Sequence, residues 1–161
     1  MSQPGGSGVL IACVGNVLRA DDGFGPAVAA RLEGKLPPGA RLVETGIGGI
    51  ALVQELLAGY RGLVIVDALD NGSEPGTVLA LEPEVAGEPA HVPDVHLANP
   101  ARVLALAKAL GVLPQRLALV GCQPADADGL GEQLSPAVER AVPLAAAKVR
   151  EIVDAWLSLD R

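Results

Sequence analysis

The stretch Val9-Leu-Ile-Ala-Cys-Val-Gly-Asn-Val-Leu-Arg-Ala-Asp-Asp-Gly-Phe-Gly25 organises the rest of this chain. It begins with an unbroken apolar run, which is typical of a strand buried on both faces. Two adjacent carboxylates, Asp21 and Asp22, follow, and an amphipathic helix is predicted from about Gly23 to Leu32. Open α/β sheets bind their ligands just beyond the carboxyl ends of such strands. The stretch therefore predicts a functional site where the first strand ends.

Length and composition indicate a single domain over residues 1–161, with residues 1–8 as a flexible lead-in. Half of the residues are hydrophobic, so the core can be large. A formal net charge of −7 and only 2% aromatic residues argue against nucleic acids and anionic membranes as partners. The apolar run after residue 8 is short and lacks a basic flank, so we expect it to be neither a signal peptide nor a membrane span. The two cysteines lack metal-ligand spacing. We therefore expect a cytoplasmic protein.

Strand and helix patterns alternate along the chain, which predicts a three-layer α/β/α sandwich around a mostly parallel, twisted, five-stranded sheet. The connection between the strands Gly62–Asp67 and Gly76–Leu81 is too short for a crossover helix. We therefore expect the Gly76–Leu81 strand to be the one antiparallel member. It should pair with its predecessor or lie at the sheet edge.

Three side chains with metal-binding or acid–base chemistry are predicted at one edge of this sheet. Asp22 follows the first strand, Asp67 ends the third, and His96 precedes a helix that starts at Asn99 or Pro100. If the first and third strands are neighbours, as in the flavodoxin-like order, the two aspartates flank a topological switch point. Two carboxylates and an imidazole can bind a divalent transition metal with open positions. They can also supply a general acid and base without a metal.

Each of these residues also has an ordinary structural explanation. Asp21 or Asp22 can be a helix N-cap, Asp67 a solvated strand end, and His96 a loop histidine. His91, the only other histidine, lies deeper in the same irregular segment. Spacing alone leaves both interpretations open.

The cysteines and one glycine-rich turn are weaker candidates. Cys13 is expected to be a small core residue within its strand. Cys122 ends a strand near the predicted site, but no basic partner is visible to activate it as a nucleophile. The Gly46–Gly49 turn resembles a phosphate cradle, yet it lacks the Walker lysine and follows the second strand.

Five sequence blocks in the right order resemble the [NiFe] hydrogenase maturation endopeptidases, and the resemblance runs through nearly the whole chain. The most specific block is Gly15-Asn16-Val-Leu-Arg-Ala-Asp21-Asp22-Gly23-Phe-Gly25. The others are Glu44-Thr-Gly-Ile-Gly-Gly49, Val64-Ile-Val-Asp67-Ala68 with Pro75-Gly76-Thr77, His96 with its following helix, and Leu119-Val-Gly121 with Leu134-Ser135-Pro136.

The resemblance implies a hydrolase that trims the carboxyl-terminal extension from the large-subunit precursor of a [NiFe] hydrogenase after nickel insertion. The family's metal-binding and catalytic trio falls on Asp22, Asp67 and His96. Nickel would be presented by the precursor, although a divalent metal can also occupy the site. The protease is expected to act as a monomer. The competing interpretations are a non-catalytic module, either a flavodoxin-like nucleotide binder or a nickel checkpoint that binds the precursor without cutting it.

Overall fold

The structure, a computed structural model, describes residues 7–15, 20–46, 49–85, 100–125 and 133–160. Its strands are β1 (Val9–Val14), β2 (Ala40–Gly46), β3 (Gly62–Ala68), β4 (Val78–Leu81) and β5 (Arg116–Cys122). Its helices are α1 (Phe24–Leu32), α2 (Gly49–Leu56), α3 (Pro100–Ala109) and α4 (Pro136–Leu159), and a 3₁₀ turn (Ala20–Gly23) precedes α1.

The five strands form one sheet in the order β2-β1-β3-β5-β4. β1 pairs in parallel with both β2 and β3, and β3 pairs in parallel with β5. The predicted adjacency of the first and third strands is therefore confirmed, as is the mostly parallel five-stranded sheet with one antiparallel strand.

Each face of the sheet is covered by a pair of helices, so the predicted three-layer arrangement is also confirmed. Side chains of β1 alternate between the two layers, as the pleat of a strand requires. Val9, Ile11 and Cys13 pack in the cluster that contains α1 and α4. Their neighbours Leu10, Ala12 and Val14 pack in the cluster that contains α2 and α3. This burial on both faces explains why the β1 sequence is continuously apolar.

β4 lies at the sheet edge, which confirms one of the two predicted positions. It does not pair with its predecessor β3, which was the other. Its antiparallel partner is β5. The side of β3 that faces away from β1 is occupied by β5 along seven residues, Gly62 to Ala68. The turn after β3 therefore crosses the end of β5, where Leu69 donates to the carbonyl of Cys122 and Gln123 donates to that of Thr77.

The ends of several elements follow local backbone chemistry. Gly59, just after α2, has a φ of +87° and donates its N–H to the carbonyl of Leu56, as is common at helix C-termini. β4 begins at Val78, two residues later than predicted, because Gly76 (φ +86°) and Thr77 close a turn. Within the described residues, no helix combines the length and hydropathy needed to cross a membrane.

Candidate functional site

The candidate site lies at the carboxyl edge of the sheet, where the chain leaves β1 and β3. These strands are neighbours, and β1 has β2 on its other side, so this edge contains a topological switch point. Asp22 is in the 3₁₀ turn that follows β1, and Asp67 is the second-last residue of β3. The fold therefore brings together two of the three residues that the sequence predicted for the site.

Two glycines let the 3₁₀ turn and α1 lie directly against the end of β1. A Cβ atom on Gly15 would come within 2.1 Å of the Asp22 carbonyl oxygen, and Gly15 has a φ of +148°. A Cβ on Gly25 would come within 2.1 Å of the Val14 carbonyl oxygen. Neither approach leaves room for a side chain. These glycines therefore set the position of Asp22 relative to the sheet.

The turn itself contains an unfavourable backbone conformation. Ala20 has a φ of +44°, and it is the only non-glycine residue with positive φ among those the structure describes. Left-handed conformations are uncommon for residues with a Cβ and concentrate at functional sites. The strained residue immediately precedes the two carboxylates.

Asp21 is fully buried and takes a structural role that differs from helix capping. Its Oδ1 accepts a hydrogen bond from the Ser135 N–H (2.7 Å). Its Oδ2 accepts from the Ala125 N–H and from Ser135 Oγ, both at 2.8 Å. The N-cap of α1 is Gly23, so the alternative explanation of Asp21 or Asp22 as that cap does not hold. The 3₁₀ turn separates both aspartates from the start of the helix.

Asp67 is partly buried and interacts electrostatically with Asp22. Burial is the main reason that the pKa of Asp67 rises to about 8, and the negative charge of Asp22 adds to the rise. A backbone hydrogen bond at Ala68 opposes it. Asp67 is therefore mostly protonated at neutral pH when no cation is nearby. It is not the freely solvated strand end of the alternative interpretation.

The third predicted residue, His96, lies outside the described residues, as do His91 and Asn16. Within the described ranges, no group of three or more His, Cys, Asp or Glu side chains has the geometry to bind a metal ion. The described part of the site is thus a carboxylate pair, Asp22 and Asp67, without its predicted imidazole.

Neither cysteine is suited to nucleophilic catalysis. Cys13 is fully buried within β1, as expected of a core residue, and burial raises the pKa of its thiol to about 12. Burial, with the charge of Asp21, raises the pKa of Cys122 to about 11. Both thiols therefore remain protonated at neutral pH, whereas nucleophilic attack requires the thiolate.

Gln123 is a residue of this edge that the sequence interpretation missed. It follows β5, is 6% exposed, and its side chain organises the turn after β3. Its Oε1 accepts from the N–H groups of Asn71 (2.8 Å) and Ser73 (3.2 Å), and its Nε2 donates to Asp70 Oδ1 (2.9 Å). Gln123 could have been identified from the sequence, because a glutamine that directly follows a buried strand lies at the same sheet edge as Asp67.

Comparison with known proteins gives a consistent family. The family model described as hydrogenase maturation protease (HycI) matches residues 26–152, a range that includes Asp67 and His96 and begins after Asp22. The hydrogenase expression/formation protein HupD of Rhodobacter capsulatus is 34% identical, over 92% of this chain and 72% of that protein. HoxM of Cupriavidus necator is also 34% identical, over 89% and 72% respectively.

Solved structures agree with these relatives. The hydrogenase maturating endopeptidase HybD from E. coli is 28% identical, with a TM-score of 0.75 over 88% of this chain and 89% of that one. The [NiFe] hydrogenase maturation protease HycI from Thermococcus kodakarensis is 27% identical, with a TM-score of 0.73 over 94% and 95%. Sequence and fold thus agree along most of the chain, and the protein belongs to the hydrogenase maturation protease family of hydrolases.

Proposed function

We propose that this chain is an endopeptidase that removes the carboxyl-terminal extension of a [NiFe] hydrogenase large-subunit precursor after nickel insertion. In this proposal Asp22, Asp67 and His96 contact the nickel that the precursor carries, so the metal is part of the substrate. The chain acts as a monomer in the cytoplasm. Family membership supports the proposal, and so does the similarity to HybD, a hydrogenase maturating endopeptidase.

The observation that carries the proposal is the electrostatic interaction of Asp22 with Asp67 at the switch point. Each of two neighbouring carboxylates makes ionisation of the other less favourable. A cation between them stabilises the state in which both are ionised. Without a cation, Asp67 retains a proton because its pKa is about 8. A nickel-bearing substrate would displace that proton, since carboxylates bind metals in the ionised form. Binding would therefore favour the nickel-loaded precursor over the empty one.

The same arrangement suits hydrolysis by water. Nickel bound to the precursor would polarise the scissile carbonyl or lower the pKa of a bound water. Asp22 or Asp67 would accept the proton that the attacking water releases. Cys13 and Cys122 do not compete for this role, because their pKa values of about 12 and about 11 keep the thiols protonated.

The deciding experiment is mass spectrometry of nickel-loaded and nickel-free precursor after incubation with this protein. We expect the loss of a short carboxyl-terminal peptide from the loaded form alone. Asp22→Asn and Asp67→Asn should each reduce cleavage by at least about a hundredfold, as loss of a group that acts in the transition state does. Asp154→Asn, an exposed aspartate on α4, is the matched control and should cleave normally.

Three results would contradict the proposal or the site assigned to it. Binding of the loaded precursor without any change in its mass would indicate the nickel checkpoint. Saturable nucleotide binding that is indifferent to nickel, together with an uncut precursor, would indicate the flavodoxin-like binding module. Normal cleavage by both site variants would remove Asp22 and Asp67 from the mechanism.

A further inference from the structure

Asp21 links the 3₁₀ turn to residues far along the chain. Among the described residues, Ala125 donates one hydrogen bond to the oxygens of Asp21 and Ser135 donates two, at 2.7–2.8 Å. These donors lie 104 and 114 residues later, after β5 and before α4. The side chain is fully buried, so the bonds are shielded from competition with water. The turn is therefore tied to the segment after β5 and to the start of α4.

The donor arrangement requires a carboxylate at this position. Backbone N–H groups approach both oxygens, Ser135 N–H at Oδ1 and Ala125 N–H at Oδ2. An asparagine has one acceptor oxygen and one NH₂ group. Either orientation of its amide would leave one backbone donor facing the NH₂ group. The carboxylate of Asp21 can therefore accept from both backbone N–H groups, whereas an asparagine amide cannot.

The Ser135 side chain bonds to Asp21 and does not cap its own helix. It occupies the N-cap position of α4, yet its side chain makes no capping hydrogen bond. Its hydroxyl instead donates to Asp21. A negative charge near the first turn of α4 is also favoured by the helix dipole. The start of α4 and the turn that carries Asp22 are therefore joined through one carboxylate.

The backbone conformation beside Asp21 shows why the turn needs an anchor. Ala20, with its φ of +44°, has a conformation that persists only where the surroundings over-determine it. The bonds from Asp21 supply such a restraint one residue later. Asp22 follows directly, in a turn that packs against β3, the strand that carries Asp67.

We propose that Asp21 is the positioning residue of the site: anchored by Ala125 and Ser135, it holds the 3₁₀ turn so that Asp22 faces Asp67. The inference rests on the proposed function, since it takes Asp22 as a residue that contacts the metal. It assigns Asp21 no contact with nickel or with the scissile bond.

The test measures binding of Ni²⁺ alone to the folded protein by calorimetry, together with thermal unfolding without metal. Asp21→Asn should weaken Ni²⁺ binding roughly tenfold, the size expected for one poorly satisfied charged contact. Ser135→Ala removes the hydroxyl bond to Asp21 without changing the charge, and it should weaken binding by a few-fold. Ser158→Ala is the matched control, because its hydroxyl bonds the Asp154 carbonyl on the same helix. It should leave the affinity unchanged.

The comparison among variants separates the possible outcomes. If Asp21 acts only through its charge, Ser135→Ala will bind normally and the Asp21→Asn defect will shrink in high salt, which overturns the inference. If Asp21 only stabilises the fold, both variants will unfold at lower temperature but bind Ni²⁺ normally, which also overturns it. Asp22→Asn serves as the reference. Loss of binding in Asp22→Asn with normal binding in the other two refutes the positioning role alone, whereas normal binding in Asp22→Asn refutes the proposed site itself.

Discussion

Two adjacent residues at the site, Asp21 and Asp22, have different environments although their chemistry is the same. Asp21 is fully buried and accepts hydrogen bonds from the N–H groups of Ala125 and of Ser135, the N-cap of α4. Asp22 is partly buried and raises the pKa of Asp67. The 3₁₀ turn allows this divergence, because its tight winding sends successive side chains in different directions. One aspartate thus anchors the turn, and the other lies beside Asp67.

The raised pKa of Asp67 predicts a pH-dependent cost to stability. In the unfolded chain this carboxyl has its ordinary value of 3.8, while in the folded protein the value is about 8. Between these values the folded state binds more protons, so stability falls as pH rises toward 8. Asp67→Asn cannot ionise, and at pH 8 it should be more stable than the original protein by about 5 kcal/mol, the cost of that rise in pKa. Near pH 4 the two should be equal.

Urea unfolding in the presence of a chelator, at several pH values from 4 to 8, checks this prediction. Trp156, the single tryptophan, provides the fluorescence signal. Asp154→Asn controls for the general effect of removing a carboxylate and should show the pH slope of the original protein. An unchanged slope in Asp67→Asn would mean that Asp67 is not the group that titrates.

At the scale of elements, the junction between β1 and α1 determines where Asp22 lies. The strand end and the helix start touch through backbone atoms, because Gly15 and Gly25 have no side chains to hold them apart. A glycine spacing in the sequence thus becomes a close approach in the fold. The same junction explains why the motif needs glycine on both sides of the aspartates.

Gly25→Ala should disrupt this junction. The new methyl group would lie 2.1 Å from the Val14 carbonyl oxygen, so α1 must move away from β1. We expect a loss of about 2–4 kcal/mol in the free energy of unfolding, together with weaker cleavage. Gly34→Ala is a useful control, because its φ is +75° but no atom lies within 4 Å of the added Cβ. It should cost only about 1 kcal/mol and leave cleavage intact. A loss at Gly25 no larger than that at Gly34 would contradict the importance of the close approach, because Gly25 lacks the positive φ of Gly34.

At the scale of the whole molecule, the site joins parts of the chain that are distant in sequence. Asp22 follows β1, Asp67 ends β3, and the anchor of Asp21 extends to α4. A cation bound between Asp22 and Asp67 would link the 3₁₀ turn to the central strand of the sheet. Ligand binding is therefore expected to stabilise the entire domain.

Ni²⁺ at about 100 times its dissociation constant should raise the free energy of unfolding by about 2.7 kcal/mol. For a protein of this length, the melting temperature should rise by roughly 5–10 °C. Chelation should reverse the effect, and Asp22→Asn should abolish it while Asp154→Asn keeps it. A full shift in Asp22→Asn would place the bound ion elsewhere. Scanning calorimetry with and without metal provides the measurement.

The sequence by itself determined the architecture. Apolar runs such as Val9–Val14 and Gly62–Val66 predict buried parallel strands, and their alternation with amphipathic segments predicts the three layers. These signals are local, because burial on both faces leaves a continuous apolar pattern in the residues themselves. The family could also be identified from the sequence, because each of its motif blocks lies within a short stretch of the chain. Placement of Asp22 and Asp67 after the first and third strands also followed from sequence.

Only the tertiary structure decided what those residues do to one another. The partner of β4 is β5, which the short connection to β3 did not reveal. The pKa of Asp67, the hydrogen bonds of Gln123 and the anchoring of Asp21 all depend on contacts that fold closure creates. Ser135 lies 114 residues from Asp21, so no local pattern distinguishes a buried anchor from a helix cap. Asp21 and Asp22 differ in their burial and in their long-range hydrogen bonds. These differences arise only when the layers of the fold have packed.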